Sequence, residues 1–189
     1  MPNKTVGPKE YVLIYCDKEG LENKRLHADF RLESGKGCTV YLFKDTNAEP
    51  VDSLPYIDDK PLAKMPAPDV AFGRKIDGAE EWGYQLTPTP DKANTGEICD
   101  NKHILGTPVF SEMGRVTTDN KSISLELSLP EKAPEGAYIA YTTNGNEPTA
   151  TDTKYTKAIN ITKSTVVRAK VFCEGWLSPF STAQSYIFH

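Results

Sequence analysis

The chain has 189 residues, of which 38% are hydrophobic and 25% are charged, and its formal net charge is −4 at pH 7. This length allows one or two domains, and the composition is typical of a folded, turn-rich chain rather than a disordered one. Residues 1–104 contain 14 Lys and Arg against 18 Asp and Glu, and residues 105–189 contain eight Lys and Arg against eight Asp and Glu. Neither half therefore has the excess of positive charge that binding to nucleic acid requires.

The ends and apolar runs of the sequence bear on its location. No run approaches the roughly 20 apolar residues that a membrane span requires, so we predict no membrane span. The first residues, MPNKTVGPKEY, lack the basic and apolar regions of a secretory signal. We therefore expect either a cytosolic protein or a mature piece of a longer one.

The elements predicted in the first half are mostly strands. YVLIYC, ADFRLES and CTVYLFK are rich in β-branched and aromatic residues and are bounded by turn formers. Residues 20–25 have helical propensity, but this segment is too short to be stable alone. Residues 52–70 contain four prolines and predict an extended edge segment. Turn formers cluster again at residues 88–108, and we place a domain boundary there, near residue 102.

The second half has a clearer period of two. In KSISLELSLP, the side chains of Ile123, Leu125, Leu127 and Leu129 would share one face of a strand. GAYIAYTT, AINIT, TVVRAKVF and QSYIF are predicted strands as well. Turn signals recur about every 8 to 12 residues, which is the pattern of a β-sandwich or barrel.

Four cysteines, Cys16, Cys38, Cys99 and Cys173, are widely spaced and form no CxxC pair. The spacing gives no support to a structural zinc site or a redox pair. Cys16 and Cys173 lie in strand-like runs, where a role as small buried hydrophobic residues is favoured over a disulfide. Four thiols allow three pairings, and the sequence does not choose among them.

The titratable residues show no pattern of catalytic or metal chemistry. His27, His103 and His189 are far apart, so surface histidines are favoured over a metal site built from distant loops. The adjacent carboxylates Asp58-Asp59 and Glu80-Glu81 would point to opposite faces of an extended chain and cannot act together on one bond. No GxSxG, GxxxxGK[ST] or GxGxxG motif occurs. We predict no metal, no cofactor and no enzymatic activity.

Three residues of the first half are predicted to organise its structure. Asp77 precedes Gly78 and signals a turn, and Arg74 can bridge carbonyl groups or a nearby carboxylate. Trp82, in EEWGY, is expected to fill a core. Trp176, in EGWLSP, lies in a loop-like segment, where packing and binding to a sugar ring are about equally supported. Trp176 and Tyr141 are the candidate ligand-binding residues.

The stretch YTTNGNEPT, residues 141–149, contains the strongest turn signal. Asn144 and Gly145 supply φ > 0 and predict a turn that closes a hairpin after GAYIAYTT. The alternative is a calcium site built from oxygens of Asn144, Asn146, Glu147 and Asp152. The low acidic count and the spacing favour the turn.

Several blocks of the second half occur in a recognisable order. PVFS, GAYIAYTTNGNEPT, KYTKAINIT and STVVRAKVFCEGWLSPFSTAQSYIF cover nearly all of residues 105–189. They resemble the fibronectin-III-like module at the C-terminus of chitobiase and β-hexosaminidase enzymes, which is also found in bacterial surface proteins. The hairpin of that family usually reads YTxDGxxPT. Gly145 and Pro148 match this pattern, and Asn144 replaces the acidic residue, which keeps the turn and weakens any cation-binding role.

The first half resembles a different module. PKEYVLIYCD, LHADFRLES, CTVYLFKDTNAEPVDSLPY and DVAFGRKIDGAEEWGYQLTPTPDKAN are similar to the later part of a lamin tail domain, an immunoglobulin-like sandwich. Asp91 stands where that family usually has Gly, and the opening strands of the family are missing. We therefore expect either that Met1 is a truncation point or that the domain is divergent and partly open. An open sheet edge invites pairing with another chain, so we expect dimerisation through the first half.

The two resemblances together imply an all-β fold with two immunoglobulin- or fibronectin-III-like β-sandwich domains in tandem, residues 1–102 and 103–189, the first incomplete. Such modules recur in exported bacterial proteins, often beside a spore-coat-kinase-like (CotH) domain, whose kinase-type residues this chain lacks. This implies a non-catalytic accessory module, secreted or at the cell surface, whose partners are neighbouring domains of the same full-length protein. The alternative is a carbohydrate-binding or adhesive module with a polysaccharide or cell-surface protein as partner. Export would also favour pairing of the cysteines.

Overall fold

A computed structural model of the chain describes residues 5–18, 26–32, 39–45, 48–54, 70–100, 102–118, 122–178 and 180–189. Every regular element within these ranges is a β-strand, and the ranges contain no helix that is long and apolar enough to cross a membrane. The predicted all-β fold with immunoglobulin- or fibronectin-III-like sandwich character is confirmed. The predicted short helix at residues 20–25, Cys38, Asp58-Asp59 and most of the proline-rich segment lie outside the described residues.

The chain divides into two compact units. The first comprises Met1–Trp82 and Thr87–Gly96, and the second comprises Gly83–Leu86 and Glu97–His189. The sequence placed the boundary near residue 102, whereas residues 97–102 and the short Gly83–Leu86 segment belong to the second unit. The assignment of one sandwich domain to residues 1–102 and another to residues 103–189 stays a prediction.

The strands of the first unit are short. β1 (Ile14–Tyr15) pairs in parallel with β2 (Leu26–His27), β3 (Tyr41–Phe43) pairs antiparallel with β4 (Pro50–Ser53), and β5 is Phe72–Arg74. Ala28 is fully buried, but Tyr41, Leu42 and Phe43 are each about half exposed or more. Both faces of β3 are therefore exposed, since neighbouring residues of a strand point to opposite sides.

The second unit contains most of the described strands. β6 (Trp82–Gln85) runs into it and pairs antiparallel with β7 (Ile98–Cys99). The remaining strands are β8 (Val109–Phe110), β9 (Arg115–Thr117), β10 (Ile123–Leu125), β11 (Leu127–Ser128), β12 (Tyr138–Thr142), β13 (Thr153–Lys154), β14 (Ile159–Ile161), β15 (Thr165–Phe172) and β16 (Ser181–Phe188). Five of them form one sheet in the order β13–β12–β15–β16–β9, in which only β16 and β9 are parallel. Opposite strand pairs are β8–β11 and β10–β14.

KSISLELSLP was expected to be one strand, and the structure divides it at Glu126. Ile123, Leu125 and Leu127 are buried as predicted, but Leu129 is 38% exposed. Ser111 causes the division, because its N–H donates to the Glu126 carbonyl (2.9 Å) while its hydroxyl accepts from the Glu126 N–H (2.9 Å). The segment therefore pairs with β14 before Glu126 and with β8 after it.

The core of the second unit lies between its two layers of strands. On β15, Val167, Ala169 and Val171 point into this core, so the residues between them point outward. Tyr186 on β16 is fully buried, and its hydroxyl donates to the Glu112 carbonyl oxygen at 2.7 Å. Burial raises the pKa of Tyr186, helped by the nearby charge of Glu112. The buried core residues are Leu105, Ile123, Leu125, Leu127, Ile139, Ile161, Val167, Ala169, Val171 and Tyr186.

Candidate functional site

The strongest turn signal of the sequence lies in the connection between β12 and β13, residues 143–152, here named the β12–β13 loop. Gly145 has φ of +81°, and the Asn144 side-chain oxygen accepts the Asn146 N–H at 3.0 Å, so the predicted turn forms. It is not the tip of a tight hairpin as predicted. Asn144 still pairs with Val166 of β15, so the chain follows β15 beyond Thr142 before it returns as β13.

Glu147 fixes this loop to the outward face of the five-stranded sheet. One carboxylate oxygen lies 3.2 Å from the Lys170 ammonium, and the other lies 3.1 Å from the Arg168 guanidinium and accepts the Ser181 hydroxyl at 2.7 Å. Arg168 also donates to the Gly145 carbonyl at 3.4 Å. Burial alone would raise the pKa of Glu147, but the hydrogen bonds from Ser181 and Lys170 and the two positive charges outweigh it, so the pKa is lowered.

We expect Glu147→Gln to lower stability at neutral pH by about 0.2–1 kcal/mol, because the carboxylate is half exposed and such pairs contribute little each. The lowered pKa means that the unfolded chain binds a proton more readily, so this contribution is present above the ordinary glutamate pKa of about 4.3 and is lost as the pH falls through the folded value. Urea unfolding at several pH values checks this. The variant should differ from the parent at neutral pH and approach it in acid, whereas the exposed control Glu131→Gln should match the parent throughout.

The alternative calcium site is not assembled from this loop. Asp152 accepts both the N–H and the hydroxyl of Thr149 at 2.7 Å, and these hydrogen bonds lower the pKa of Asp152. Glu147 faces cations of its own sheet, and the Asn144 oxygen is bonded to Asn146. In the part of the chain that the structure describes, no group of three His, Cys, Asp or Glu side chains could hold a metal ion.

Two of the three histidines have an aspartate partner. In the first unit, His27 Nδ1 lies 2.9 Å from both Asp17 carboxylate oxygens, and its ring stacks on Tyr15. In the second unit, His103 Nδ1 lies 2.6 Å from Asp100, and this hydrogen bond is the main reason that the pKa of Asp100 is lowered. The contact between His103 and Asp100 could be predicted from their separation of three residues. His27 meets Asp17 through the parallel pairing of β1 and β2, which the sequence pattern did not indicate. His189 is exposed.

The two candidate ligand-binding aromatics are half-buried against the core of the second unit. Trp176 packs against that core and meets His103 edge to face, with ring centroids 4.7 Å apart. Tyr141 also packs against this core and meets Tyr155 edge to face, with ring centroids 6.5 Å apart. Gly175 has φ of +73°, which places the Trp176 N–H on the Cys173 carbonyl at 3.2 Å. A sugar-binding role for Trp176 and Tyr141 stays a prediction.

Sequence reasoning missed a pair of aromatic residues on the outward face of the same sheet. Tyr138 and Phe172 are directly opposite each other on β12 and β15, and their rings stack with centroids 5.8 Å apart. The Lys154 ammonium lies 4.0 Å from the Tyr138 ring centroid, within cation–π range. The alternation of each strand indicates two faces, but only the register of β12 on β15 brings these two rings together.

The first unit contains the cluster around Arg74. Its guanidinium lies over the Trp82 ring, 4.5 Å from the centroid, and donates to the Ala79 carbonyl and to the Asp52 carboxylate. Arg74 therefore makes both kinds of contact that the sequence suggested. Trp82 also stacks on Phe72, with centroids 6.0 Å apart.

Asp77 and Asn94 continue this cluster. Asp77 accepts the Tyr11 hydroxyl and the Asn94 N–H, and these hydrogen bonds, that of Tyr11 first, lower the pKa of Asp77. The Asn94 side chain donates to the Arg74 carbonyl at 2.6 Å. The turn at Gly78, with φ of +76°, thus lies between segments that hydrogen bonds hold together.

We expect Arg74→Ala to lower the stability of the first unit by about 1–3 kcal/mol, because Asp52 and the Ala79 carbonyl would lose a charged donor. Thermal unfolding followed by tryptophan fluorescence in a Trp176→Phe background, which leaves Trp82 as the reporter, measures this. Lys75→Ala is the matched control, since among the described residues the Lys75 ammonium pairs with the exposed Glu81 carboxylate at 2.9 Å, and its loss should change stability little. Unchanged melting together with loss of a ligand would show that Arg74 belongs to a binding site instead.

Cys99 and Cys173 carry free thiols. Cys99 is buried, and burial raises its pKa, while Cys173 is half-buried with its sulfur 3.6 Å from the Glu135 carbonyl oxygen. Cys16 is half-buried as well. Cys99 and Cys173 thus act as packing residues here, as the strand-like surroundings of Cys173 suggested.

Comparison with known families bears on the second unit. Residues 114–182, which is less than half of the chain, match the family model of the chitobiase/beta-hexosaminidase C-terminal domain. No curated protein and no solved structure matches the chain significantly. The match begins just before β9 and ends within β16, and it includes the whole β12–β13 loop. Residues 114–182 are therefore similar to a C-terminal accessory domain, not to a catalytic one.

Proposed function

We propose that the chain is a non-catalytic accessory part of an exported or cell-surface bacterial protein, in which it spaces or positions a neighbouring domain. The observation that carries this proposal is the match of residues 114–182 to a C-terminal accessory domain. The contacts of the β12–β13 loop support it, because the charged side chain of Glu147 binds the sheet of its own unit. A loop held in this way makes the module stiff, which a spacer requires.

The last strand of the unit supports the same role. β16 spans Ser181–Phe188 and pairs with β15 on one side and β9 on the other. The Phe188 N–H also donates to the Ser164 hydroxyl oxygen at 3.0 Å. The final residues of the chain are therefore joined to the sheet on both sides, so a force applied there would be shared by two neighbouring strands.

Cell fractionation and activity assays test the two parts of this proposal separately. Antibodies against the chain should detect the parent protein in the culture fluid or on washed cells while a cytosolic marker stays inside. The purified chain should not hydrolyse p-nitrophenyl glycosides or esters. Detection confined to the cytosol would contradict export, and turnover of any of these substrates would contradict an accessory role.

A carbohydrate-binding or adhesive module is the second candidate function. The stacked Tyr138 and Phe172 rings beside the Lys154 ammonium favour it, because they lie on the outward face of the sheet. Binding to a broad glycan panel should be measured for the parent, for Phe172→Ala and for Trp176→Ala. Loss in Phe172→Ala alone would place binding on the outward face, and loss in Trp176→Ala alone would place it at the sequence-derived site. An absence of binding across the panel would exclude this function.

We also propose self-association through the first unit, which we relate to a divergent lamin tail domain. The exposed strand β3 supports this, since Leu42 is 61% exposed and its neighbours about half exposed. Exposed apolar strands favour pairing with another chain. Light scattering should show dimers that Leu42→Lys weakens, and a monomer at high concentration would contradict the proposal.

A further inference from the structure

We propose that Asn144 is a site of spontaneous deamidation, at which the folded β12–β13 loop favours conversion of asparagine to aspartate and isoaspartate. Asn144 is exposed, and it is the only asparagine of the sequence that precedes a glycine. These two features alone occur in many proteins. The hydrogen bonds of the loop add a third feature, which concerns how the reacting groups are held.

The first step is an attack by the Gly145 backbone nitrogen on the side-chain carbonyl carbon of Asn144. Gly145 has no Cβ to hinder this approach. The Asn144 side-chain oxygen accepts the Asn146 N–H at 3.0 Å, so the side chain is folded back over the Gly145 peptide. The same N–H stabilises the negative charge that develops on this oxygen during attack, as donors in an oxyanion hole do. Holding both groups in one turn also removes much of the entropic cost of ring closure.

The reaction needs water and no other reactant. The Gly145 nitrogen gives its proton to the solvent and forms a bond to the side-chain carbon. The side-chain carbon–nitrogen bond then breaks as its nitrogen takes a proton from the solvent and leaves as ammonia. Water then opens the five-membered succinimide. Cleavage between the Gly145 nitrogen and the side-chain carbon gives aspartate, and cleavage at the backbone carbonyl gives isoaspartate. No electrons are transferred, and the sum is an amide and water giving a carboxylate and an ammonium ion.

The other described asparagines differ from Asn144 in these respects. Asn160 is exposed but lies in β14 opposite Ser124, and the β-branched Ile161 follows it. Asn94 uses its side-chain nitrogen as a donor to the Arg74 carbonyl at 2.6 Å. Asn146 precedes Glu147, whose side chain is fixed to Arg168 and Lys170. We therefore expect the reaction to be selective for Asn144.

The two products should affect the loop differently. Aspartate keeps an oxygen that accepts the Asn146 N–H, so this turn is preserved. Isoaspartate inserts a methylene into the backbone, which displaces the Asn146 carbonyl from the Thr142 hydroxyl that donates to it at 2.7 Å. It also shifts Glu147, three residues after Asn144, relative to the sheet cations. Modification would thus loosen the loop from the outward face of the sheet.

Peptide mapping of the aged full chain tests the proposal. The folded chain is incubated in mildly alkaline buffer and digested with trypsin, which releases the segment between Lys132 and Lys154. Fragment spectra separate Asn144 from Asn146, and isoaspartyl methyltransferase reports isoaspartate. We expect loss of the Asn144 amide before that of Asn94, Asn146 or Asn160. Earlier loss at any of these three would overturn the proposal.

Two variants and one condition serve as controls. Asn144→Asp supplies the aspartate product as a chromatographic reference and should melt like the parent. Asn144→Ser removes the electrophile, keeps an acceptor for the turn, and should abolish the isoaspartate signal from this segment. The third arm is the parent chain unfolded in urea. Equal or faster loss of the Asn144 amide in the unfolded arm would overturn the claim that the folded loop favours the reaction.

Discussion

Replacing Gly114 with alanine is expected to destabilise the second unit by about 1–3 kcal/mol, which is the usual cost of inserting a methyl group where no room exists. A Cβ at this position would lie 2.7 Å from the Ser185 carbonyl oxygen and 2.9 Å from the Ser185 nitrogen. Both are backbone atoms of β16, which cannot rotate away as a side chain could. The Gly114 N–H also donates to the Gln184 side chain at 2.8 Å, so the two segments cannot separate without losing this bond.

We expect Gly114→Ala to lower stability by more than the steric clash alone would, because Gly114 lies beside two other contacts of β16. The next residue, Arg115, begins β9, which pairs with Tyr186 of β16. The Tyr186 hydroxyl in turn donates to the Glu112 carbonyl just before Gly114. Moving the chain at Gly114 therefore disturbs an edge strand and a buried hydroxyl together.

Urea unfolding of Gly114→Ala beside Gly106→Ala checks this prediction. A Cβ at Gly106 would meet only Pro130 side-chain atoms at 3.5 Å, an ordinary contact, so this control should change stability by less than about 0.5 kcal/mol. Equal stability of the two variants would contradict the close approach of Gly114 to β16. Loss of stability in the control alone would contradict it as well.

The long strands of the second unit could be predicted from the sequence because their two faces have different surroundings. TVVRAKVF was predicted as a strand and coincides with β15, where Val167, Ala169 and Val171 are fully buried. The alternation is strong because one face meets the core and the other meets solvent. GAYIAYTT contains β12, but the adjacent residues Ile139 and Ala140 are both buried, so β12 was predictable from its β-branched and aromatic residues rather than from alternation.

The short strands could not be predicted in the same way. β8, β9 and β13 have two or three residues each, so no period can be read from them. What makes them strands is the partner that each one meets, such as β16 beside β9. The division at Glu126 has the same origin, because it depends on Ser111 in a distant segment.

The contacts of the candidate site are also of two kinds: some follow from the local sequence, and others depend on a distant partner. Local chemistry indicated the turn at Asn144 and the positive φ of Gly145, and both are present. The attachment of Glu147 to Arg168 and Lys170 depends on how the loop lies on β15, which periodicity does not reveal. Arg74 is similar, since its type of contact was foreseen while Asp52, far away in sequence, was not.

The two units differ in how much of their apolar surface is buried, and this difference bears on the proposed accessory role. The segment that matches a known accessory family has a well-buried core and a loop fixed by ion pairs. The first unit instead exposes both faces of β3. Under the proposed role, the first unit, with its exposed apolar residues, would bind a partner, and the second unit would set a distance.

Leu125→Ala is expected to have the largest effect of the substitutions considered, about 2–5 kcal/mol, because it leaves a cavity in the core. Leu125 is fully buried on β10, opposite Ile159 of β14. Leu129→Ala is the matched control, since it makes the same chemical change in the same alternating segment but at a side chain that is 38% exposed. Circular dichroism during urea unfolding measures both. A similar loss in the two variants would contradict the difference in burial between Leu125 and Leu129.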